Sequence, residues 1–113
     1  MKYFTIDEFD CSETGENQMD QFFLQSIDEL RKRCAFPFVV NSGFRSKYHE
    51  KERDKTVGGT HTQGIAADIA VSNGTQRRKI VAEAIRLGFN GIGVAKTFVH
   101  VDTRETPAVM WTY

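Results

Sequence analysis

The chain has 113 residues and a mass of 12.9 kDa, and at 40% hydrophobic it can enclose one modest core, so a single domain over 1–113 is expected and multi-domain arrangements are excluded. Lys plus Arg number 15 and Asp plus Glu number 15, for a sequence pI of about 6.8, whereas a protein that works by gripping phosphate backbones carries a basic excess; no nucleic-acid partner is expected. No apolar run reaches the length of a membrane span, and the N-terminus turns acidic at Asp7, Glu8 and Asp10 before a secretory apolar region can form, so neither membrane insertion nor an export signal is expected.

Helical spacing appears first from Asn17 to about Cys34, where Met19, Phe22, Phe23, Ile27 and Leu30 recur at intervals of three and four. Asn17 is placed to cap this helix, Asp20 lies in its first turn, and Arg31, Lys32 and Arg33 suit the negative end of its dipole. Pro37 stops the helix, and Phe38, Val39 and Val40 make Pro37 to Ser42 a buried strand. The charged stretch from Ser46 to Asp54 reads as a short surface helix or an ordered loop, with His49 at the surface.

Ala66 to Ser72 alternates as a strand does, with Ala66, Asp68 and Ala70 on one face and Ala67, Ile69 and Val71 on the other. Thr75 is placed to cap a second helix with a buried stripe of Ile80, Val81, Ala84, Ile85 and Leu87, ended by Gly88 in the left-handed position. Two strands follow, near Gly91–Ala95 and Thr97–Thr103, with a turn at Lys96. The second turns Phe98, His100 and Asp102 to one side. Trp111 is expected to close over the core or the rim of a cleft. The sum is a compact α+β domain, with helices on one face of a mostly antiparallel sheet.

Cys11 and Cys34 match neither a CxxC redox pair nor a thiolate zinc site, so both are read as structural; whether they pair depends on a Cα separation that spacing alone does not provide.

Of the three histidines, His61 opens His61-Thr62-Gln63-Gly64-Ile65-Ala66-Ala67-Asp68, and His100 sits in Phe98-Val99-His100-Val101-Asp102. Zn²⁺ in hydrolytic sites takes three protein ligands from imidazole and carboxylate and keeps one position open. His61, Asp68 and His100 would supply such a set, His61 from the loop entering the strand and Asp68 from the strand beyond the Gly64 turn. Alone, a His beside a Gly turn reads as a surface residue and a His-x-Asp strand as an ion pair; their conjunction favours a metal.

The runs Ser42-Gly43-Phe44-Arg45-Ser46, Val57-Gly58-Gly59-Thr60-His61 through Asp68-Ile69, and Phe98 to Asp102 resemble the M15 family of zinc peptidases, in the branch of small phage endolysins and D-Ala-D-Ala carboxypeptidase-like proteins. The opening Tyr3-Phe4-Thr5-Ile6-Asp7-Glu8-Phe9 is similar to that of the branch's single-domain members. The resemblance implies a Hedgehog/D-Ala-D-Ala peptidase-like fold, one zinc held by His61, Asp68 and His100, Arg45 beside it, and peptidoglycan peptide stems as substrate. A monomer is expected, and without an export signal its access to the cell wall would need phage-assisted release, carriage on a virion, or lysis.

Two positions depart from the family pattern. Gly59 stands where the family has the serine of Ser-x-His. Thr97 stands three residues before His100, where related branches place a carboxylate general base, and threonine is no base. Asp102 is the remaining nearby carboxylate, to act as the base or to orient a ligand. Arg45 would donate to the tetrahedral oxyanion or clamp Asp68, the alternative being a solvated arginine. The missing carboxylate keeps open a zinc-containing binding module without catalysis. A metal-dependent phosphoesterase is disfavoured, since such sites assemble more carboxylates or a second metal. Which bond is cut, and whether terminal or internal, is not encoded in these motifs.

Overall fold

The first helix, α1, spans Gln21–Cys34 in the computed structural model, which describes residues 1–49, 51 and 59–113. Its cap is Asp20, whose carboxylate accepts from the Phe23 amide at 2.9 Å, and not the expected Asn17. Asn17 works one step earlier: its Oδ1 accepts from Met19 N–H, and its Nδ2 donates to Ile6 O and to Asp10, tying the helix entry to a 3-10 turn at Ile6–Phe9. Asp20 prevails because a carboxylate satisfies an orphan amide and also places negative charge at the positive end of the helix. Phe23, Leu24, Ile27, Leu30 and Cys34 are buried, whereas Phe22, expected in the stripe, is 67% exposed.

The second helix, α2, spans Gly74–Leu87 and is capped by Asn73, which accepts from Gln76 N–H at 2.9 Å, two residues before the expected Thr75. Ile80 and Ala84 are buried and Val81 and Leu87 partly so, but Ile85 faces solvent and Glu83 takes a buried place, paired with Arg86 at 2.8 Å. Gly88 ends the helix at φ 85°, as expected.

Five strands form one sheet: β1 (Val40–Ser42), β2 (Ala66–Ala70), β3 (Gly91–Val94), β4 (Phe98–Asp102) and β5 (Val109–Thr112), in the order β1-β2-β4-β3-β5. All neighbouring pairs are antiparallel except β3 with β5. β1 is shorter than the Pro37–Ser42 strand expected, since Val39 turns its side chain to solvent and the register shifts between Val40 and Ser42. The parallel strand β5 goes beyond the sequence reading, which placed Trp111 only near the core or a cleft.

Both helices lie on one face. Phe23, Leu24, Ile27 and Leu30 of α1 and Ile80 and Ala84 of α2 pack in a single core with Ala67, Ile69, Ile92, Val99 and Val101 of the sheet. The strand alternation read from sequence therefore holds, and it leaves Asp68, His100 and Asp102 on the face the helices do not cover. The fold is α+β with a mostly antiparallel sheet.

Of the charged stretch Ser46–Asp54, Glu50 and residues 52–58 lie outside the described residues, and with them Val57-Gly58 of the motif. Ser46 to His49 forms a turn, His49 N–H donating to Ser46 O at 2.9 Å. His49 is buried, not at the surface as expected: its Nε2 lies 3.1 Å from Glu13 and its Nδ1 accepts from Lys51 N–H. The charge of the flanking residues concealed that burial. Cys11 and Cys34 are both buried free thiols. Burial, with Glu83 nearby, pushes the Cys34 thiol up to about 11, which makes it inert. No described helix is long and apolar enough to cross a membrane.

Candidate metal centre

Antiparallel pairing sets Asp68 of β2 directly opposite His100 of β4, so a carboxylate and an imidazole meet on the uncovered face of the sheet. His100 Nδ1 lies 3.1 Å from Asp68 Oδ1. His61 arrives from the turn before β2, and its Nε2 is 3.3 Å from the same oxygen. One ligand atom from each of the three residues falls within 4.8 Å of the others, and all three residues are buried. The three candidate ligands read from sequence are thus brought together.

The turn that delivers His61 is held on both sides. Gly64 adopts φ +73°, and a Cβ there would collide with the Gln18 carbonyl. Its own carbonyl accepts from the Asp20 amide at 2.9 Å, so the cap of α1 and the histidine turn are one joint. His61 Nδ1 donates to the Gly43 carbonyl at 2.8 Å, which leaves the lone pair of Nε2 for the cleft.

Arg45 leaves the same Ser42–Ser46 segment. Its Nη2 lies 3.5 Å from Asp68 Oδ2, its Nε donates to Ser42 Oγ at 3.2 Å, and its amide donates to His61 O. Arg45 is therefore a partner of Asp68 at the edge of the cleft and not a solvated side chain. Burial alone would push the Asp68 carboxyl up, but the His100 and His61 rings beside it hold it well below the usual carboxylate range.

Asp102 does not stand where a general base is needed. It lies behind His100, its Oδ2 2.7 Å from His100 Nε2 and on the far side of the ring from Asp68. Arg104 fills the rest, Nε to Oδ1 at 2.9 Å and Nη2 to Oδ2 at 2.7 Å, with a backbone donation besides. The side chain is fully buried, so both oxygens are committed and neither reaches the cleft. Of the two roles left open by sequence, geometry favours orientation: a carboxylate on Nε2–H turns Nδ1 outward. Burial pushes against the charged His100 ring, yet the hydrogen bonds it gives to the Asp102 and Asp68 carboxylates outweigh that and raise its pKa.

The cleft over these residues has a volume of about 310 Å³, walled by Arg45, Lys51, Thr60, Phe98 and Tyr113. Asp68 is the one carboxylate among the described residues that line it. A larger cleft of about 750 Å³ adjoins through Thr60 and is lined by Phe22, Gln63, Thr103 and Arg104. Thr97 is exposed and does not line the metal cleft. The donor set suits Zn²⁺: two imidazole nitrogens and a carboxylate, with each imidazole's other nitrogen already hydrogen-bonded and an open side toward the cleft. The residues that sequence reasoning missed are Gly43, whose contribution is a backbone carbonyl, and Arg104, whose signal was only its place two residues after Asp102.

A search of curated proteins returns no match. The Peptidase M15 family model matches residues 2–102, which include every candidate residue from Arg45 to Asp102. A match over nearly the whole chain, with the three ligand-type residues converging where the family motifs fall, establishes the kinship: the chain belongs to the M15 peptidase family.

Proposed function

We propose that this protein is a zinc-dependent peptidase that hydrolyses an amide bond in peptidoglycan stem peptides. The observation that carries the reading is the convergence of His61 Nε2, Asp68 Oδ1 and His100 Nδ1 on one side of an open cleft, in a chain of a zinc peptidase family. Zinc held by these three residues would supply Lewis-acid polarisation of the scissile carbonyl and activation of water at neutral pH. Arg45 would donate to the oxygen that gains charge as the carbonyl is attacked, while also holding the outer oxygen of Asp68. Asp102 would fix the His100 ring. Arg45 and Lys51 give the cleft a cationic wall, which suits the carboxylates of a stem peptide. The enzyme would act as a monomer and meet its substrate by phage-assisted release or as part of a virion.

A second reading, a zinc-containing peptide-binding module without catalysis, is favoured by one observation: Thr97 stands at the usual base position and Asp102 faces away from the cleft. The two readings separate in one assay. Purified cell walls incubated with the protein should lose turbidity and release new amino termini, and a zinc chelator should abolish both. Walls that bind the protein but release no amino termini would favour the binding module.

A further inference from the structure

The two sheet positions beneath the Asp102–His100 pair are glycines. Gly91 lies opposite Asp102 and Gly93 opposite His100. A Cβ on Gly91 would fall on the Asp102 carboxylate itself, and one on Gly93 would meet Trp111 Nε1 at 2.7 Å. On this face of the sheet the Gly91 and Gly93 positions are therefore a floor without side chains, against which the Asp102 carboxylate and the Trp111 indole lie. Trp111, placed beside Gly93 by the parallel strand β5, has its ring centroid 5.0 Å from that of His100, while the Arg104 guanidinium stands 5.1 Å from the indole centroid. Arg104 also grips both oxygens of Asp102 through two of its nitrogens.

From this arrangement we infer that Arg104 is a positioning residue: its two-pronged hold on Asp102, braced by Trp111, fixes the His100 ring with Nε2–H turned to Asp102 and Nδ1 turned to the cleft. A lone carboxylate on the end of a strand can rotate about its own torsions, and the imidazole it binds rotates with it. A planar guanidinium engaging both oxygens removes that freedom, as an ammonium, which acts as a point charge, does not. The consequence is a preset donor atom, so that a metal entering the cleft meets Nδ1 without first reorienting the ring. This inference rests on the reading of His100 as a zinc ligand.

The test uses the full chain with Arg104→Gln and Arg104→Lys, in two measurements. Competition with a chromophoric chelator should show zinc binding about 10–100-fold weaker in both variants, the usual cost of losing a partner behind a ligand. Separately, ¹⁵N imidazole spectra of the metal-free proteins, at one fixed pH high enough that His100 has shed its second proton, should show the remaining proton on Nε2 in the native chain and shared between the two nitrogens in both variants. The His49 and His61 signals, which Arg104 does not touch, should stay in place and certify the fold. Wild-type affinity and an unchanged His100 signal in Arg104→Gln would overturn the inference; the same outcome in Arg104→Lys would show that the planar grip is not needed and overturn it equally. If the native chain binds no zinc, the zinc reading fails on its own, while the imidazole spectra still decide whether Arg104 positions the ring.

Discussion

His61 hangs from the carbonyl of Gly43, 2.8 Å from its Nδ1, so the segment that carries Arg45 also decides which nitrogen of His61 faces Asp68. Gly43 can do this because it lies against the 3-10 turn so closely that a Cβ would come within 2.6 Å of the Phe9 Cα. Its amide neighbour Phe44 donates to Phe9 O at 2.8 Å, which seals the contact.

Gly43→Ala should therefore damage both stability and metal binding, because the colliding atoms are backbone and cannot swing aside. A loss of about 1–3 kcal/mol is expected from overpacking, read as a lower denaturant midpoint, together with weaker zinc binding as the carbonyl shifts away from His61. An alanine variant with native midpoint and native zinc affinity would show that this close approach is not needed.

Arg45→Ala should keep its zinc and its fold while turnover falls by ~10²–10³, the usual worth of one oxyanion donor. Arg45 also sits 3.5 Å from Asp68, so the variant tests whether that contact serves the metal or the substrate. Zinc loss matching the activity loss would place its role in the metal site instead.

For Asp102→Asn the geometry predicts the signature of an orienting residue. Zinc affinity should fall by ~10–100-fold and activity should return when zinc is supplied in excess. A variant that stays fully loaded yet loses ~10²–10⁴ in turnover would behave as one lacking its general base, and would contradict the buried placement of this carboxylate.

The metal-free protein should show stability that depends on pH in two windows. Asp68 and Asp102 titrate below their ordinary value of about 3.9, so the stability they contribute is present above that pH and is lost as pH falls through their depressed folded values. His100 titrates above its ordinary value of about 6.5; its contribution is present below that pH and is lost as pH rises through the raised folded value. Chelator-treated protein should thus melt at progressively lower temperature as pH climbs through the range above roughly 6.5, while added zinc protects more strongly over the same rise because the ring has shed its second proton. A melting temperature that climbs with pH in that range would count against the assigned environment of His100.

Much of this was legible in the sequence, and the exceptions share a cause. Strand alternation put Asp68 and His100 on one face and Ile69, Val99 and Val101 on the other, because a period of two is dictated by the pleat and survives tertiary context. Capping was misplaced at both helices by two or three residues, since Asn17, Asp20, Asn73 and Thr75 are all chemically able to cap and only the path of the preceding chain chooses among them. The role of Asp102 turned on which side of an imidazole it occupies. That is a matter of side-chain direction and of an arginine two residues on, and the His-x-Asp spacing is the same either way. His49 was misread because local charge outweighs, in a sequence, a distant partner such as Glu13.

The most direct test of the central claim is metal analysis of the purified chain beside His61→Ala and His100→Ala. The account predicts about one zinc per chain in the native protein, because the three converging donors make one mononuclear site, and little or none in either variant, with both still folded. Undiminished zinc in both variants would contradict it.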